Sequence, residues 1–369
     1  MPTADELLGR GVALRLIETV GRAAPGRELR SLNDAADALE GLSLRERSDL
    51  LADALLKDLP EDYWALDRIF RSALDDELFT GWLIWPVTEA SVRAALSDGS
   101  TTTSFDGALD LLADLTPRLT GEFAIRRLLE TDLPRALPRV RAWTRHTDAH
   151  VRRLASEGTR PHLPWAKKVK AILAAPESTI PILDALYRDS SEYVRRSVAN
   201  HLNDISRNEP DLVVATAARW LENPDAHTQW VVRHGLRTLV KRAHPGALAL
   251  QGYLPAPLVT VTGPVLAMTT VAVGEELAFE VTLTNTGAEA AALAVDYLVH
   301  HMKANGALRP KVFKLATRTL EPGQSVTIAR RHSFKKISTR TYYAGEHAIE
   351  IQVNGSVAGR SPFRLVLDA

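Results

Sequence analysis

Up to about residue 250 the chain has the hydrophobic periodicity of amphipathic helices. Apolar residues recur three and four positions apart, as Leu51, Ala54 and Leu55 do among charged neighbours. Prolines at positions 134, 138, 161, 164, 176, 210 and 224 divide the region, because proline interrupts helical hydrogen bonding. The pattern therefore predicts an array of short helices, with a surface loop at residues 98–104.

The helical region repeats a short motif. Val-Arg-Arg at residues 151–153 returns at 194–196, and a weaker copy, Val-Val-Arg, follows at 231–233. An acidic or polar turn precedes each copy, at Asp148, at residues 190–192 and at Asp225. Repeats of about 40 residues with two helices each are typical of HEAT-like solenoids, which curve around one concave face. We expect the arginines to line one side of that curve.

After Gly252 the hydrophobic pattern changes from helical to alternating. Residues 276–285 alternate apolar and polar side chains, and shorter segments at 295–299, 311–314, 325–331, 347–353 and 364–367 also predict strands. Turn sequences separate them, at residues 305–306, 321–324 and 354–355. Prolines at 255, 257 and 264 predict a linker and the entry to the first strand.

The fold class that follows is mainly α. A HEAT-like repeat α-solenoid over residues 1–252 is predicted to precede a C-terminal immunoglobulin-like β-sandwich over residues 259–369. With 45% hydrophobic and 24% charged residues, the 369-residue chain has the composition of an ordinary globular protein. Residues 1–6 lack the features of a signal peptide, and no apolar run approaches the ~20 residues of a membrane span. We expect a cytoplasmic monomer with no membrane partner.

Charge is distributed unevenly along the chain. Residues 1–120 contain 12 basic and 22 acidic side chains, whereas residues 121–250 contain 21 and 14, and residues 251–369 contain 12 and 9. This asymmetry predicts that an anionic partner contacts the central and C-terminal parts, and that the first 120 residues are structural. The alternative is a set of solvated helix faces.

Several kinds of chemistry have no support in the sequence. The chain has no cysteine, which excludes disulfides, thiolate catalysis and cysteine-bound metals. His146 and His150 lie four residues apart but lack the glutamate of a zinc-protease motif, and the adjacent His300 and His301 point to opposite sides of a strand. No phosphate-binding glycine loop or nucleophile elbow is present. We therefore expect neither a metal site nor a cofactor.

Three carboxylates in the basic centre are the candidates for chemistry: Glu122, Glu157 and Asp204. Each lies near an arginine pair of the repeats. A carboxylate is unfavourable in a groove for an anion, unless the bound object carries a local positive charge. In the alternative interpretation, the acids form ion pairs with Arg153, Arg160 or Arg196, and these ion pairs stabilise the helical array.

Two segments resemble a known family. Residues 195–206, Arg-Arg-Ser-Val-Ala-Asn-His-Leu-Asn-Asp-Ile-Ser, resemble the signature of bacterial alkylation-repair DNA glycosylases built from HEAT-like repeats. Residues 157–165, Glu-Gly-Thr-Arg-Pro-His-Leu-Pro-Trp, are similar to the AlkC branch of that superfamily, which is related to AlkD and has an appended immunoglobulin-like domain. The resemblance extends over nearly the whole chain, and its motifs are specific at residues 150–206.

The resemblance implies excision of 3-methyladenine and 3-methylcytosine from double-stranded DNA, without a cofactor and without a base-flipping pocket. It implies that Glu122, Glu157 and Asp204 occupy the acidic active-site positions, with Arg153 and Trp165 close by. N3-methylation makes the base cationic, so it is already a good leaving group. Carboxylates beside the sugar would stabilise the oxocarbenium-like cation and position a water molecule.

Basic residues in both regions are predicted to contact the DNA. Repeat arginines are expected to contact phosphates, namely Arg126, Arg152, Arg160, Arg195, Arg196 and Arg233. In the β-domain the basic segment 330–340, which includes Arg331, Lys335 and Lys336, is predicted to reach the minor groove. The alternative for this segment is a solvated hairpin. For the whole chain, the alternatives are a non-catalytic HEAT-repeat scaffold and a protein that binds damaged DNA without releasing a base.

Phosphate contacts predict strongly salt-dependent DNA binding. The logarithm of the association constant should fall linearly with the logarithm of the salt concentration, by about 0.9 for each phosphate neutralised. Fluorescence anisotropy with a labelled duplex at increasing NaCl measures this slope. An affinity that is unchanged between low and moderate salt would contradict the predicted phosphate contacts.

Overall fold

The computed structural model describes residues 3–98, 102–254, 258–337 and 340–367. Short 3-10 helices lie at Gly81–Leu83, Trp143–Arg145 and Pro176–Thr179. The α-helices are α1 (Ala4–Leu8), α2 (Arg10–Ala23), α3 (Arg30–Asp37), α4 (Leu44–Asp58), α5 (Tyr63–Ala73), α6 (Ile84–Ser97), α7 (Thr102–Leu115), α8 (Ile125–Thr131), α9 (Leu133–Ala142), α10 (Ala149–Glu157), α11 (Lys170–Ala174), α12 (Ile180–Leu186), α13 (Glu192–Ile205), α14 (Pro210–Leu221), α15 (Thr228–Gly235), α16 (Arg237–Lys241) and α17 (Pro245–Ala249).

The acidic turns before the repeated motif begin the repeat helices. Asp148 accepts the backbone N–H of His150 at the start of α10, and Asp225 accepts that of Thr228 at the start of α15. Before α13 the carboxylate of Asp189 accepts the backbone N–H of Ser191. Such side-chain acceptors satisfy amide groups that have no partner within the helix.

Helices α10, α13 and α15 pack in succession, α10 against α13 and α13 against α15. The repeated valines Val151, Val194 and Val231 are all buried in these contacts. The repeat-like helical array predicted from the sequence is therefore present. The predicted loop at 98–104 is shorter than expected: α7 begins at Thr102, and residues 99–101 lie outside the described part of the chain.

The C-terminal strands form two sheets, as an immunoglobulin-like sandwich requires. A three-stranded antiparallel sheet has the order β1-β3-β6, and a five-stranded sheet has the order β2-β8-β7-β4-β5. Side chains such as Phe279, Val281, Tyr297, Ile349 and Leu365 form the core. The strands are β1 (Val259–Leu266), β2 (Thr270–Ala272), β3 (Glu276–Asn285), β4 (Ala291–Met302), β5 (Leu308–Leu320), β6 (Ser325–Ser333), β7 (Gly345–Val353) and β8 (Ser356–Val366).

Two of these strands were not predicted. The sequence pattern placed Pro264 at a strand entry, whereas it lies inside β1. Proline has no N–H to donate to a neighbouring strand. An edge strand tolerates it because one side of the strand has no neighbour, and β1 is at an edge of its sheet. The strand β2 has only three residues, too few for an alternating pattern to be recognised. The predicted turns at Asn305-Gly306 and Asn354-Gly355 do connect strands.

By internal contacts the chain divides into two compact units. One contains residues 1–209 and 223–235, and the other contains residues 210–222 and 236–369. The predicted boundary at residue 252 follows the change from helix to strand, whereas packing groups α14, α16 and α17 with the sandwich. No helix in the described ranges is long and apolar enough to cross a membrane.

A cluster of histidines lies in the core of the sandwich. His301, His332 and His347 are buried, and the His301 ring centre is 6.3 Å from that of His332 and 5.9 Å from that of His347. Burial, with the nearby charge of Arg340, lowers the pKa of His301 to about 3. Burial likewise lowers the pKa of His332 to about 4. Both imidazoles are therefore neutral in the folded protein near pH 6.

This cluster predicts acid sensitivity of the sandwich. In the unfolded chain, histidines bind protons below their ordinary pKa of about 6.5, whereas His301 and His332 in the folded protein stay neutral. The free energy of unfolding therefore decreases as the pH is lowered. The variant His301→Phe should lose less stability than the wild type between pH 7.5 and 5.5. Urea unfolding followed by circular dichroism measures the difference. The exposed His146→Gln variant is the control, and an equal pH dependence in all three proteins would refute the explanation.

Candidate active site

The three candidate carboxylates come from separate segments of one compact unit. Glu122 lies in the loop between α7 and α8, Glu157 ends α10, and Asp204 lies in the last turn of α13. The side chains of Glu157 and Asp204 are almost inaccessible, with 7% and 2% of their surface exposed, and that of Glu122 is 12% exposed. The fold therefore brings the three acids close to one another only through tertiary packing.

Two arginines join the three acids into an alternating chain. Arg153 pairs with Glu122, and its other terminal nitrogen lies 3.3 Å from Glu157 Oε1. Arg160 donates from Nη1 to Glu157 Oε1 at 2.6 Å and from Nε to Asp204 Oδ2 at 2.8 Å. We call this sequence of side chains, Glu122–Arg153–Glu157–Arg160–Asp204, the charged chain. It contains one more carboxylate than guanidinium group.

Neutral side chains complete the surroundings of Glu157. Ser197 of α13 donates to Glu157 Oε2 at 2.6 Å and lies 3.0 Å from the hydroxyl of Ser156. His201 is fully buried, with Nδ1 2.9 Å from the carbonyl oxygen of Ser156. Burial lowers the pKa of His201 to about 3, so this imidazole is neutral at physiological pH. Glu157 is thus held from both sides by donors that fix its orientation.

Glu122 occupies the most accessible end of the charged chain. Thr120 donates to its Oε2 at 3.1 Å. Burial raises the pKa of the Glu122 carboxyl above its usual value, although the positive charge of Arg153 opposes that effect. Tyr193 stands beside this end, with its ring 5.2 Å from the guanidinium carbon of Arg153 and 43% of its surface exposed.

The first arginine of each repeated pair turns back onto its own helix start. Arg152 donates to the carbonyl oxygens of residues 146 and 147 and pairs with Asp189 at 2.6 Å. Arg195 donates equivalently to the carbonyl oxygens of residues 189 and 190. Both guanidinium groups donate to carbonyl oxygens of the protein, although the buried Nε of Arg195 has no partner among the described residues. Their predicted phosphate contacts stay predictions.

Arg126 and Arg160 are also directed inward. Arg126 is only 3% exposed and donates to the carbonyl oxygens of Lys167, Gly158 and Arg160. It therefore holds the loop that follows α10. Arg160 is committed to two carboxylates, as described above. Both arginines therefore have structural roles around the acids, and their predicted phosphate contacts stay predictions.

The second arginine of each pair reaches the next repeat. Arg153 lies over Tyr193, and Arg196 lies over Trp230, 6.0 Å from its ring centre. Arg196 pairs with Glu192 of its own helix and not with the three acids. Arg233, the third residue at this position, is exposed. Arg196 and Arg233 are both exposed, and their contact with DNA stays a prediction.

Sequence reasoning missed Tyr193, Ser197 and Ser156. The signal for Tyr193 was present, because an aromatic or imidazole ring precedes each repeated valine: His150, Tyr193 and Trp230. Phe123, which follows Glu122 in the chain, stacks on Trp85 with the ring centres 4.7 Å apart. Serines have no pattern that would reveal them.

Trp165 stands apart from this packing. Its side chain is 81% exposed, and its backbone has a φ of 61°, which is unfavourable for a residue with a side chain. Its carbonyl oxygen lies 3.5 Å from a guanidinium nitrogen of Arg45. The indole predicted to lie near the substrate is therefore presented to solvent.

The basic segment of the sandwich belongs to the other compact unit. Arg331 on β6 and the following Lys335 and Lys336 are exposed, while Phe334 between them is buried in the core. Residues 338 and 339 of the segment lie outside the described residues. The contact of this segment with DNA stays a prediction.

Comparisons with known proteins agree with this architecture. A family model described as a DNA alkylation repair enzyme matches residues 112–239, which include all three acids. A model described as the C-terminal Ig-like domain of the uncharacterised protein YhaZ matches residues 260–367. The uncharacterised protein YhaZ of Bacillus subtilis (strain 168) is 32% identical over 322 residues, 87% of each chain.

A solved structure is similar over nearly the full length. Pseudomonas fluorescens alkylpurine DNA glycosylase AlkC, bound to DNA containing an abasic site analog, superposes with a TM-score of 0.85 and 33% sequence identity. The match covers 99% of this chain and 100% of that one. At this identity and coverage, the chain belongs to the AlkC-type family of DNA alkylation repair glycosylases.

Proposed function

We propose that this protein hydrolyses the N-glycosidic bond of cationic N3-methylated bases in double-stranded DNA, chiefly 3-methyladenine and 3-methylcytosine. Its similarity to a DNA-bound alkylpurine glycosylase supports the class of reaction. The observation that carries the proposal is the charged chain, which ends in the partly accessible carboxylate of Glu122. An accessible carboxylate at a DNA-binding surface suits a cationic substrate, while at the opposite end of the charged chain Arg207 Nη2 lies 3.9 Å from Asp204 Oδ1.

The proposed reaction balances without a cofactor. The methylated base leaves with the electron pair of the C1′–N bond and becomes neutral, while the sugar becomes an oxocarbenium-like cation. The oxygen of a water molecule then bonds to C1′, and the proton that it loses passes to a carboxylate. Carboxylates held in advance stabilise the developing cation without having to reorient.

The environments of the acids favour different roles for them. Glu122 is the most accessible of the three, and its raised pKa makes its carboxylate a better proton acceptor than an ordinary glutamate. We assign it to the water molecule and the sugar. Asp204 is nearly inaccessible and contacts Arg160, so it is a positioning residue that acts through the charged chain. Glu157 joins the two ends.

This proposal dispenses with a pocket for a flipped base. Tyr193, whose ring lies against Arg153, is 43% exposed, and Trp165 is 81% exposed. An open surface of this kind suits a sugar approached from the groove. A cationic base needs no buried acid to protonate it, because its charge already weakens the glycosidic bond.

Base release is the direct test. The wild type should release 3-methyladenine from methylated duplex DNA well above the spontaneous rate. In single-turnover assays, Glu122→Gln should be slower by roughly 100-fold, as expected when one preorganised electrostatic group is removed, and it should still bind DNA.

The two buried acids should affect both rate and stability. Glu157→Gln and Asp204→Asn should release base slowly and should also melt at lower temperature, because each leaves the buried charge of Arg160 with one carboxylate fewer.

The matched control is Glu192→Gln, an exposed carboxylate on the same helix as Asp204. Its rate should stay within about twofold of the wild type, since exposed ion pairs contribute little. If the wild type binds methylated DNA but releases no base, the protein is a damage binder or a scaffold. If Glu122→Gln loses only stability and keeps its rate, the acids serve structure alone.

The raised pKa of Glu122 predicts that the rate of base release declines at acidic pH, which is the acid limb of the pH–rate profile. As the pH falls toward that pKa, the carboxylate takes up a proton and the release rate declines, at a higher pH than for an ordinary glutamate. Rates between pH 4.5 and 8 measure the limb, after the spontaneous rate is subtracted. Glu122→Gln should lack it, and a limb that persists unchanged in this variant would belong to another group.

The raised pKa of Glu122 has the opposite consequence for stability: raising the pH should increase the rate but lower the free energy of unfolding. Because the pKa of Glu122 is higher in the folded than in the unfolded protein, ionisation lowers the free energy of unfolding as the pH rises through that pKa. Relative to the wild type, Glu122→Gln should therefore be more stable at pH 7.5 than at pH 5. Thermal melts of both proteins at the two pH values provide this comparison.

A further inference from the structure

A strongly basic cavity lies in the helical unit beside the charged chain. Its volume is about 430 Å³, and Phe123, the neighbour of Glu122, forms part of its wall. Two carboxylates also line it, Glu89 and Glu130. The remaining charged side chains are six cations, namely Arg45, Arg126, Arg127, Lys167, Lys168 and Lys170.

The two carboxylates do not balance these cations. Glu89 is buried and pairs with Arg127 at 3.0 Å, and Arg45 lies 3.8 Å from its other oxygen. Glu130 accepts the backbone N–H of Lys170 at 2.7 Å. Among the described residues, none of the three lysines forms an ion pair, and all three are exposed. The cavity therefore has a surplus of positive charge at its rim.

Arg126, which lines the cavity, has one unsatisfied donor. Its Nε and Nη1 donate to backbone carbonyl oxygens, but its buried Nη2 has no hydrogen-bond partner among the described residues. Leaving a buried charged donor unpaired is costly, and a phosphate oxygen is a strong acceptor for a guanidinium group. Burial lowers the pKa of Arg126 to about 10, which leaves it cationic at neutral pH.

We propose that this cavity binds one backbone phosphate of the DNA strand next to the reacting nucleotide. This inference rests on the proposed function for its ligand. Arg126 holds the carbonyl oxygens of Gly158 and Arg160, so the phosphate site and the acids share one rigid support. The phosphate is seated by the cations, while the sugar lies toward Glu122. Lys168 and Lys170 supply the charge at the rim.

The test removes the rim charge without disturbing the buried support. The double variant Lys168→Ala/Lys170→Ala changes exposed side chains only. The slope of the logarithm of its DNA association constant against the logarithm of the salt concentration should be smaller in magnitude than that of the wild type, by about one to two. The value of kcat/KM should fall by roughly tenfold with kcat nearly unchanged, since a phosphate contact binds ground state and transition state alike.

A variant of equal charge loss is the control. Arg141→Ala/Arg145→Ala removes two exposed cations that do not line the cavity, and its slope should change less. An equal change in both double variants would mean that only net charge matters, and would overturn the assignment of a site. Thermal melts should be the same for the three proteins.

Neutral phosphates identify the ligand directly. In a series of duplexes, one phosphate at a time is replaced with an uncharged methylphosphonate. One position near the lesion should weaken wild-type binding about tenfold but leave the lysine variant nearly unaffected. If no position shows this difference, the cavity does not hold a DNA phosphate.

Free anions are the competing ligands. Inorganic phosphate or pyrophosphate, compared with chloride at equal ionic strength, should raise the melting temperature of the wild type no more than that of the lysine variant. A larger rise in the wild type, without a sensitive methylphosphonate position, would assign the cavity to a free phosphate compound. Because binding is measured on DNA without turnover, a failure to release base would not alter these outcomes.

Discussion

The alternating pairing of three carboxylates with two arginines is the interaction on which the rest of the active-site region depends. It joins the loop before α8, the end of α10, the loop after α10 and the end of α13. Charges removed from water cost several kcal/mol each unless they are paired and hydrogen-bonded. Each arginine is shared by two acids, so the position of any one group constrains all the others. Packing of the repeats is therefore coupled to the geometry of the acids.

Activity and stability place opposite demands on Glu122. Burial makes its ionised form less favourable in the folded protein than in water, as its raised pKa indicates, although the positive charge of Arg153 opposes this effect. The ionised form is also the one that stabilises a sugar cation and accepts a proton. The ion-pair interpretation of the acids and the proposed catalytic one are therefore compatible: pairing holds the acids in place, and Glu122 at the accessible end is the acid that we propose acts on the substrate.

Periodicity predicted most of the architecture, including the helices of the repeats and the alternating strands of the sandwich. Its failures have physical causes. Pro264 concealed β1 because a proline within a strand is tolerated only at an edge or a bulge, and edge position is a tertiary property. The division of the chain by packing, with α14 grouped with the sandwich, follows contacts that local sequence does not encode.

The sequence by itself determined the repeat, the positions of the acids within it, and the resemblance to glycosylases of this type. Only the tertiary structure decided what each arginine does. Arg152 and Arg195 close their own helix starts, Arg126 holds a loop, and Arg153 lies between two acids. In the sequence all of them are arginines beside an apolar stripe. The length of the arginine side chain allows it to reach inward or outward, so its direction depends on which carbonyl, carboxylate or ring the neighbouring repeat presents.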